Sequence, residues 1–455
     1  MPARARSTSS SAQGASVWTR ALAGGTVIAG GLILGGCGSS MPKLTDLNPF
    51  KEVKKPIPGK RIPVITQRQG GAELAAATRP ITLPQARMNV GWTQPGGEAS
   101  NAPGHLVLNG SLRIVWRADV GAGSSSYGRL VASPIVADGR VFTLDTYGRV
   151  SAFSATGGAR AWRIALAPQS ERAREGFGGG LAVDNGRLYV ATGFGIVFAL
   201  DPRTGKKLWE KNLRVPLRAS PTASGDRVFV VGTNGRFFAL SGADGTELWT
   251  FTGLPESARI LTNVSPAVAA DTVIAPYPTG ELVALNVSDG STQWTESVAS
   301  SRRRSSLAAM TDPGRPAVAD GVVYAVGHAG RMLATSLKSG ERRWSITLPS
   351  IQTPWVAGPT VFVVDTGGRL FAIDKRDGKT NWQIKLPNAK LWSGPVLAGN
   401  RLWLVSGKGR LLSVDAATGR PLSGLSLGRK VYIAPVVANG YMYVLADNGQ
   451  LIALK

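Results

Sequence analysis

Cysteine and histidine are nearly missing from this chain. Cys37, His105 and His328 are the whole supply in 455 residues. A single cysteine forms no internal disulfide and no adjacent-cysteine redox pair. The histidines lie far apart, and His328 falls in a hairpin turn just before Gly330, so packing or surface roles fit both. No His/Cys/Asp/Glu cluster has metal-ligand spacing, and no Gly-x-Ser-x-Gly elbow is present, so no catalytic residue and no metal ligand is expected. Gly178-Gly179-Gly180 lacks a following helix or Gly-Lys-Ser/Thr, which excludes a phosphate loop; it reads as a turn into the next structural unit. Acidic residues are scarce, 28 against 52 Lys and Arg, leaving a formal charge of +24. Beyond residue 36 there is no apolar run of about 18 residues that would cross a membrane as a helix. Nor does a 3.6-residue apolar period persist anywhere in residues 111–455.

What the chain has instead is a repeat. Eight anchors, Pro134, Leu181, Pro221, Pro266, Pro316, Pro354, Pro395 and Pro435, are each followed 14 residues later by glycine. Seven repeats carry a second glycine at offset 24, from Gly158 to Gly419, and six carry tryptophan at offset 28, from Trp162 to Trp382. In the first repeat, Pro134-Ile135-Val136, Val141–Leu144, Val150–Phe153 and Ala159–Trp162 are short apolar runs separated by Asp138-Gly139, Tyr147-Gly148 and Thr156-Gly157-Gly158. Runs of this length bounded by such turns are strands. Four antiparallel strands recurring every 38 to 50 residues describe the blades of a β-propeller. The offset-28 tryptophan sits on the fourth strand, where a large flat ring fills the gap between blades.

The last repeat stops at Lys455 after its third strand, and a lone fourth-strand sequence, Ser111 to Trp116, lies upstream. Donating that strand to the last blade closes the ring. The fold class is therefore all-β, an eight-bladed propeller over residues 111–455. The seventh repeat is irregular, with Leu422-Ser423 where tryptophan is expected. Acidic residues such as Asp145, Asp201, Asp374 and Asp415 are expected at one recurring turn-side position, which makes them architectural.

The first 20 residues carry Arg4, Arg6 and Arg20 and no acid; residues 21–36 are small or apolar; Cys37 follows. This is the layout of a signal peptide over residues 1–36. Residues 37–110, punctuated by prolines from Pro56 to Pro103, read as a Pro/Gly-rich tether, with Ile81 to His105 expected to run back along the propeller. Removing residues 1–36 takes away three arginines and no acid, leaving +21. Export argues against nucleic acid, so the anionic partner is a lipid head group, lipopolysaccharide or an acidic protein. Arg302-Arg303-Arg304, in the longest inter-repeat loop, is either a solvated loop or a docking patch.

Leu34-Gly35-Gly36-Cys37 resembles the lipobox of bacterial lipoproteins, which implies a diacylated Cys37. Gly38 in place of aspartate then implies the periplasmic face of the outer membrane. Two repeat units, Asp201 to Trp209 and Asp374 to Trp382, resemble the repeat of quinoprotein (pyrroloquinoline quinone) dehydrogenases. Those enzymes imply a calcium held by oxygen ligands, an aspartate base and commonly an adjacent-cysteine disulfide. The cysteine pair and the roofing loops are missing here, so no cofactor is expected. Lipobox, tether and eight such repeats together resemble the BamB family of the outer-membrane β-barrel assembly (BAM) machinery, and Asn89 to Gly97 resembles alphaproteobacterial members. That resemblance implies a non-catalytic scaffold. It would bind a POTRA domain of BamA, join the other BAM subunits, and help assemble unfolded outer-membrane proteins. The family's contact loop is matched by Val215-Pro216-Leu217-Arg218, which implies partner-binding roles for Val215, Leu217 and Arg218. Its second contact, a pair of aspartates, is replaced by Leu261-Thr262-Asn263, leaving Asn263, with Arg259 nearby and of reversed charge. The alternative of a different class is a periplasmic quinone-dependent dehydrogenase or a ligand-sensing propeller.

Overall fold

In each repeat the second and third strands are apolar at almost every position, which only a strand covered on both faces allows. The fourth is mixed. The computed structural model describes residues 81–253, 264–299, 313–328 and 330–455. In it, 32 strands, numbered in chain order, form eight four-stranded antiparallel sheets. The first blade is β2 (Ile135–Ala137), β3 (Arg140–Leu144), β4 (Arg149–Ser154) and β5 (Arg160–Ala165). Val141 to Leu144 and Val150 to Phe153 are buried, whereas β5 is half-buried or exposed. The strands agree with the sequence expectation to within a few residues.

Ring closure is as expected. β1 (Ile114–Asp119) pairs antiparallel with β32 (Gln450–Leu454), with Ile114 opposite Leu454 and Asp119 opposite Gln450. Arg113 and Lys455 exchange two backbone hydrogen bonds of 3.0 Å. The last blade is thus β30 (Val436–Ala438), β31 (Tyr441–Leu445), β32 and β1. The strand begins three residues later than Ser111.

The tryptophans tie each blade to the next. Trp116, Trp162, Trp209, Trp249, Trp294, Trp344 and Trp382 each donate an indole N–H to a carbonyl in the turn between the third and fourth strands of the following blade, at 2.8–3.2 Å. The acceptors run from Ala155 to Ala416. The offset-24 glycines sit under these rings. All seven have φ between +71° and +77°, and a Cβ on any of them would come within 2.8 Å of the preceding blade's tryptophan. Glycine is therefore required twice over, for the left-handed backbone and for the ring. Behind six of the tryptophans stands an aromatic from the second strand of the same blade, as in Phe142–Trp162 and Tyr189–Trp209, with centroids 5.9–6.1 Å apart.

This arrangement explains the irregular seventh repeat. Its acceptor would lie in the turn between the third and fourth strands of the last blade. No turn joins those two strands, because the fourth strand of the last blade is β1, from the other end of the described chain. A tryptophan at Leu422 or Ser423 would have no carbonyl to reach.

One expectation about the repeats needs correction. The acids occupy two turn positions, not one. Asp145, with Asp365, lies between the second and third strands, where it accepts N–H bonds from Tyr147 and Arg149 and pairs with the Arg149 guanidinium at 2.6 Å. Asp201, Asp374 and Asp415 lie in the following turn and accept backbone N–H bonds there, as Asp201 does from Arg203 and Thr204. Residues 81–106 run along the propeller, as expected for Ile81 to His105, and from residue 89 onward they are hydrogen-bonded to its blades. The expected signal peptide over residues 1–36, Cys37 and residues 38–80 lie outside the described residues, as do Arg259, Asn263 and Arg302–Arg304.

Candidate functional site

The innermost strand of a propeller blade leaves one row of backbone groups facing the axis, and these need partners. Residues 89–106 supply them. Trp92 and Val136 exchange backbone bonds of 2.7 and 2.8 Å; Val183 donates to Thr93 O; Gln94 bonds Ala223 through both amide atoms. Val268 donates to Ala99 O and Val318 to Ser100 O. Trp355 donates its indole N–H to Gly104 O, Leu106 pairs with Leu397 and Gly399, and Asn89 pairs with Val437 and Asn439. The segment thus reaches all eight blades. Buried Asn101 donates to Pro266 O and Pro316 O, bridging two of them. His105 is buried as well: its Nε2 accepts from the Asn400 N–H at 3.0 Å, so Nδ1 carries the proton donated to Pro84 O at 2.7 Å. The packing role expected for this histidine holds.

Several contacts fall on the turns between first and second strands, at Gly399, Asn400 and Asn439, so the segment closes that end of the axis. Above it lies a cavity of about 540 Å³, floored by Trp92, Pro95 and Gly96 and walled by Trp355, Trp392, Tyr432, Leu130, Ile351 and Arg315, among others. Trp92 and Trp355 stack with centroids 6.2 Å apart, and the Trp92 Nε1 donates to no protein atom. Arg315 donates to Ser265 Oγ at 2.8 Å, and more weakly to Pro95 O and Thr353 Oγ1. Loss of water around the guanidinium pushes its pKa down to about 10, so it remains a cation at neutral pH. The only carboxylate among the described lining residues is Asp447, which accepts the Ser124 hydroxyl and lies 3.7 Å from Arg129. A calcium ion takes six to eight oxygen ligands, usually several carboxylates. One carboxylate already engaged does not fit that requirement. Among the described residues no group of three or more His, Cys, Asp or Glu is placed to hold a metal.

The loop before β10 (Thr222–Ser224) holds three of the expected partner-binding residues. Val215 and Leu217 are buried in the core between the second and third blades, and Leu217 bridges Gly232. Their expected role as direct contacts is corrected: with their side chains turned inward, they fix the loop. What faces outward is Arg214, Pro216 and part of Arg218. Arg218 covers the Phe177 ring at 3.8 Å from its centroid and donates to Phe177 O, and burial lowers its pKa. Gly178 and Gly179 take positive φ beside this loop, and a Cβ on Gly180 would collide with Ser220. The triple glycine therefore admits the loop, besides turning the chain into β6 (Gly179–Asp184). Sequence reasoning missed Trp92, Gln94 and Asn101. Their signal was a run of polar and aromatic residues inside a Pro/Gly-rich stretch, which composition alone reads as a spacer.

The family model described as outer membrane protein assembly factor BamB matches residues 108–174, 146–384 and 374–455. The chain is similar to outer membrane protein assembly factor BamB of Moranella endobia, 27% identical over 240 residues, covering 51% of this chain and 61% of the relative. The corresponding protein of Yersinia pestis is 26% identical over 242 residues, covering 52% and 61%. A quinohemoprotein alcohol dehydrogenase of Pseudomonas putida, ADH-IIG, is 30% identical over 171 residues, covering 33% of this chain and 23% of that enzyme. The match thus spans about three-fifths of the length of the BamB relatives. Among solved structures, BamB from Moraxella catarrhalis superposes with a TM-score of 0.65 at 20% identity, covering 76% of this chain and all of that one. The Pseudomonas putida ADH-IIG structure gives 0.64 at 15% identity, covering 81% and 80%. Both likenesses concern the fold.

Proposed function

The chain belongs to the family of outer membrane protein assembly factor BamB, and from that premise we propose that it is a non-catalytic scaffold of the outer-membrane β-barrel assembly complex. In this reading it is anchored through a lipidated Cys37 at the periplasmic face of the outer membrane. It binds a POTRA domain of BamA, sits with the other BAM subunits, and aids the insertion of unfolded barrel proteins. The observation that carries the reading is where the carboxylates go. Asp145, Asp365, Asp201, Asp374 and Asp415 are taken up by backbone amides of the turns, and Asp447 by Ser124 and Arg129. That leaves no acid–base pair among the described lining residues of the axial cavity.

The contact surface proposed is the outward side of the loop before β10, Pro216 and Arg218, held in place by Val215 and Leu217. Arg259 and Asn263 belong to the same proposal as its second contact. The test is recovery of BamA from solubilised outer membrane on the tagged chain. Pro216→Asp combined with Arg218→Glu is expected to abolish recovery while the thermal transition stays sharp. Unchanged recovery refutes this contact loop.

A second reading has one observation in its favour. The axial cavity, with its tryptophan walls and the Arg315 cation, has room for a ligand, which is what a dehydrogenase or ligand-sensing propeller would need. Incubation with pyrroloquinoline quinone and calcium decides between the two. Tight binding with dye reduction sinks the scaffold reading; neither is expected.

A further inference from the structure

Among the described residues the outermost strand of every blade has an unpaired edge, and proteins usually guard such edges with charge. Seven of the eight do so here. β1, β5, β9 (Lys207–Asn212), β13 (Glu247–Thr252), β17 (Thr292–Ser297), β21 (Arg342–Ile346) and β25 (Thr380–Lys385) each carry at least one charged residue, together with the tryptophan that ties the strand to the next blade. The eighth, β29 (Pro421–Ser426), reads Pro-Leu-Ser-Gly-Leu-Ser. It has no charge and no tryptophan, and every residue but Leu425 is exposed.

Its inner edge pairs with β28 (Arg410–Asp415), Leu411 lying opposite Leu425 and Leu412 opposite Gly424. Just past the strand, Leu427 donates inward to Gly409 O. Alternation along a strand then turns the backbone groups of Leu425 inward and those of Gly424 and Ser426 outward. Exposed Leu422 stands on the same strand. Around this neutral edge lie four exposed cations, Arg410, Arg420, Arg429 and Lys430, none of them in an ion pair among the described residues.

We propose that the outer edge of β29 docks an extended segment of another polypeptide by strand addition, the segment being an uncharged alternating stretch flanked by acidic residues. Main-chain bonds to Gly424 and Ser426 would supply the pairing, and the surrounding cations select the flanks. The proposal deepens the assembly reading, because extended chain is what an assembly factor handles. It concerns a different blade from the loop before β10, so its failure leaves the BamA recovery test untouched.

The experiment uses the full chain in detergent and a fluorescein-labelled peptide: two glutamates, an alternating Thr-Val stretch, two glutamates. Binding is read by anisotropy, and amide hydrogen exchange locates it. The expected result is saturable binding with slowed exchange at Gly424 and Ser426. N-methylation of alternate valines, which deletes donors along one peptide edge, should weaken binding by about tenfold. Leu422→Lys with Ser426→Lys, which restores the charge the other seven edges carry, should weaken it similarly without lowering the melting temperature. A separate variant, Arg420→Glu with Arg429→Glu, should shift preference to a lysine-flanked peptide. The proposal is overturned if the lysine variant binds unchanged, if a glutamate-flanked Gly-Ser peptide binds as well, or if protection appears on another blade. Self-association of the chain that the lysine variant abolishes would also overturn it, by giving the edge to a second copy.

Discussion

Two glycine-to-alanine substitutions separate the two demands made on glycine by this propeller. Gly139 and Gly378 have nearly the same backbone, φ +69° and +73°, so alanine costs about 1 kcal/mol of left-handed strain at either. Their surroundings differ. A Cβ at Gly139 meets nothing within 4 Å, whereas at Gly378 it would lie 2.8 Å from Trp344 Cε3. Trp344 is only 8% exposed and is pinned by its 2.9 Å bond to Lys375 O, so the ring cannot swing away. Displacing it adds about 1–3 kcal/mol of overpacking. Gly139→Ala should then lower the melting temperature by about 2 °C and Gly378→Ala by about 4–8 °C, at roughly 2 °C per kcal/mol for a domain this large. Urea unfolding at equilibrium gives the same comparison as free energies. Adding Trp344→Phe to Gly378→Ala closes a double-mutant cycle, with an expected coupling of about 1 kcal/mol or more. Equal costs for the two alanines, or zero coupling, would refute the claim that the offset-24 glycine serves the tryptophan.

Trp382 is 1% exposed and donates to Ala416 O; Trp382→Phe should cost about 1–2 kcal/mol for the orphaned carbonyl, and Trp382→Ala about 3–5, measured by denaturant midpoint. Asn101→Leu strips Pro316 O of its donor and leaves Pro266 O with the Thr222 hydroxyl alone, and is expected to cost about 1–3 kcal/mol and to make residues 81–110 accessible to limited proteolysis. Burial would raise the Glu296 pKa, but two bonds from Arg342 and one from the Ser297 N–H outweigh it and hold the carboxyl below its ordinary value. A depressed carboxyl stabilises the fold above the ordinary glutamate range, and that contribution is lost as pH falls through the native pKa. Arg342 is partly exposed, which limits the pair to about 1 kcal/mol. Glu296→Gln should therefore melt about 2 °C lower at pH 7, with the difference closing as pH falls through the depressed native pKa.

The ring was legible because its demands repeat. A glycine at offset 14 in eight repeats, and a second at offset 24 in seven of them with a tryptophan of the preceding blade against it, leave a pattern that spacing alone exposes. The same regularity misled where two turn positions looked like one, since Asp145 and Asp201 differ in offset but not in chemistry. The axial segment was legible only in part. Its bonds go mostly from its backbone to backbone of distant blades, and backbone pairing leaves almost no mark on residue choice. Asn101 and Gln94 are exceptions, but a lone amide in a Pro/Gly-rich stretch signals a turn as readily as a bridge. The contact loop shows the reverse difficulty. Leu217 was assigned a contact role through its match to the family's contact loop, and its side chain is buried in the core.

The pairing of β1 with β32 and the reach of residues 89–106 across all eight blades have a temporal consequence. β1 and the axial segment must both wait for the last blade, because β1 pairs with β32 and Asn89 with Val437 and Asn439. Seven blades can form their own hairpins locally and early, but the axis cannot be sealed nor the ring joined until Lys455 is available to Arg113. Such distant pairings are slow to form. The interval between the first blade and the last is thus the period in which an open ring, with an unpaired first strand and bare inner edges, is most exposed to proteases and to wrong partners.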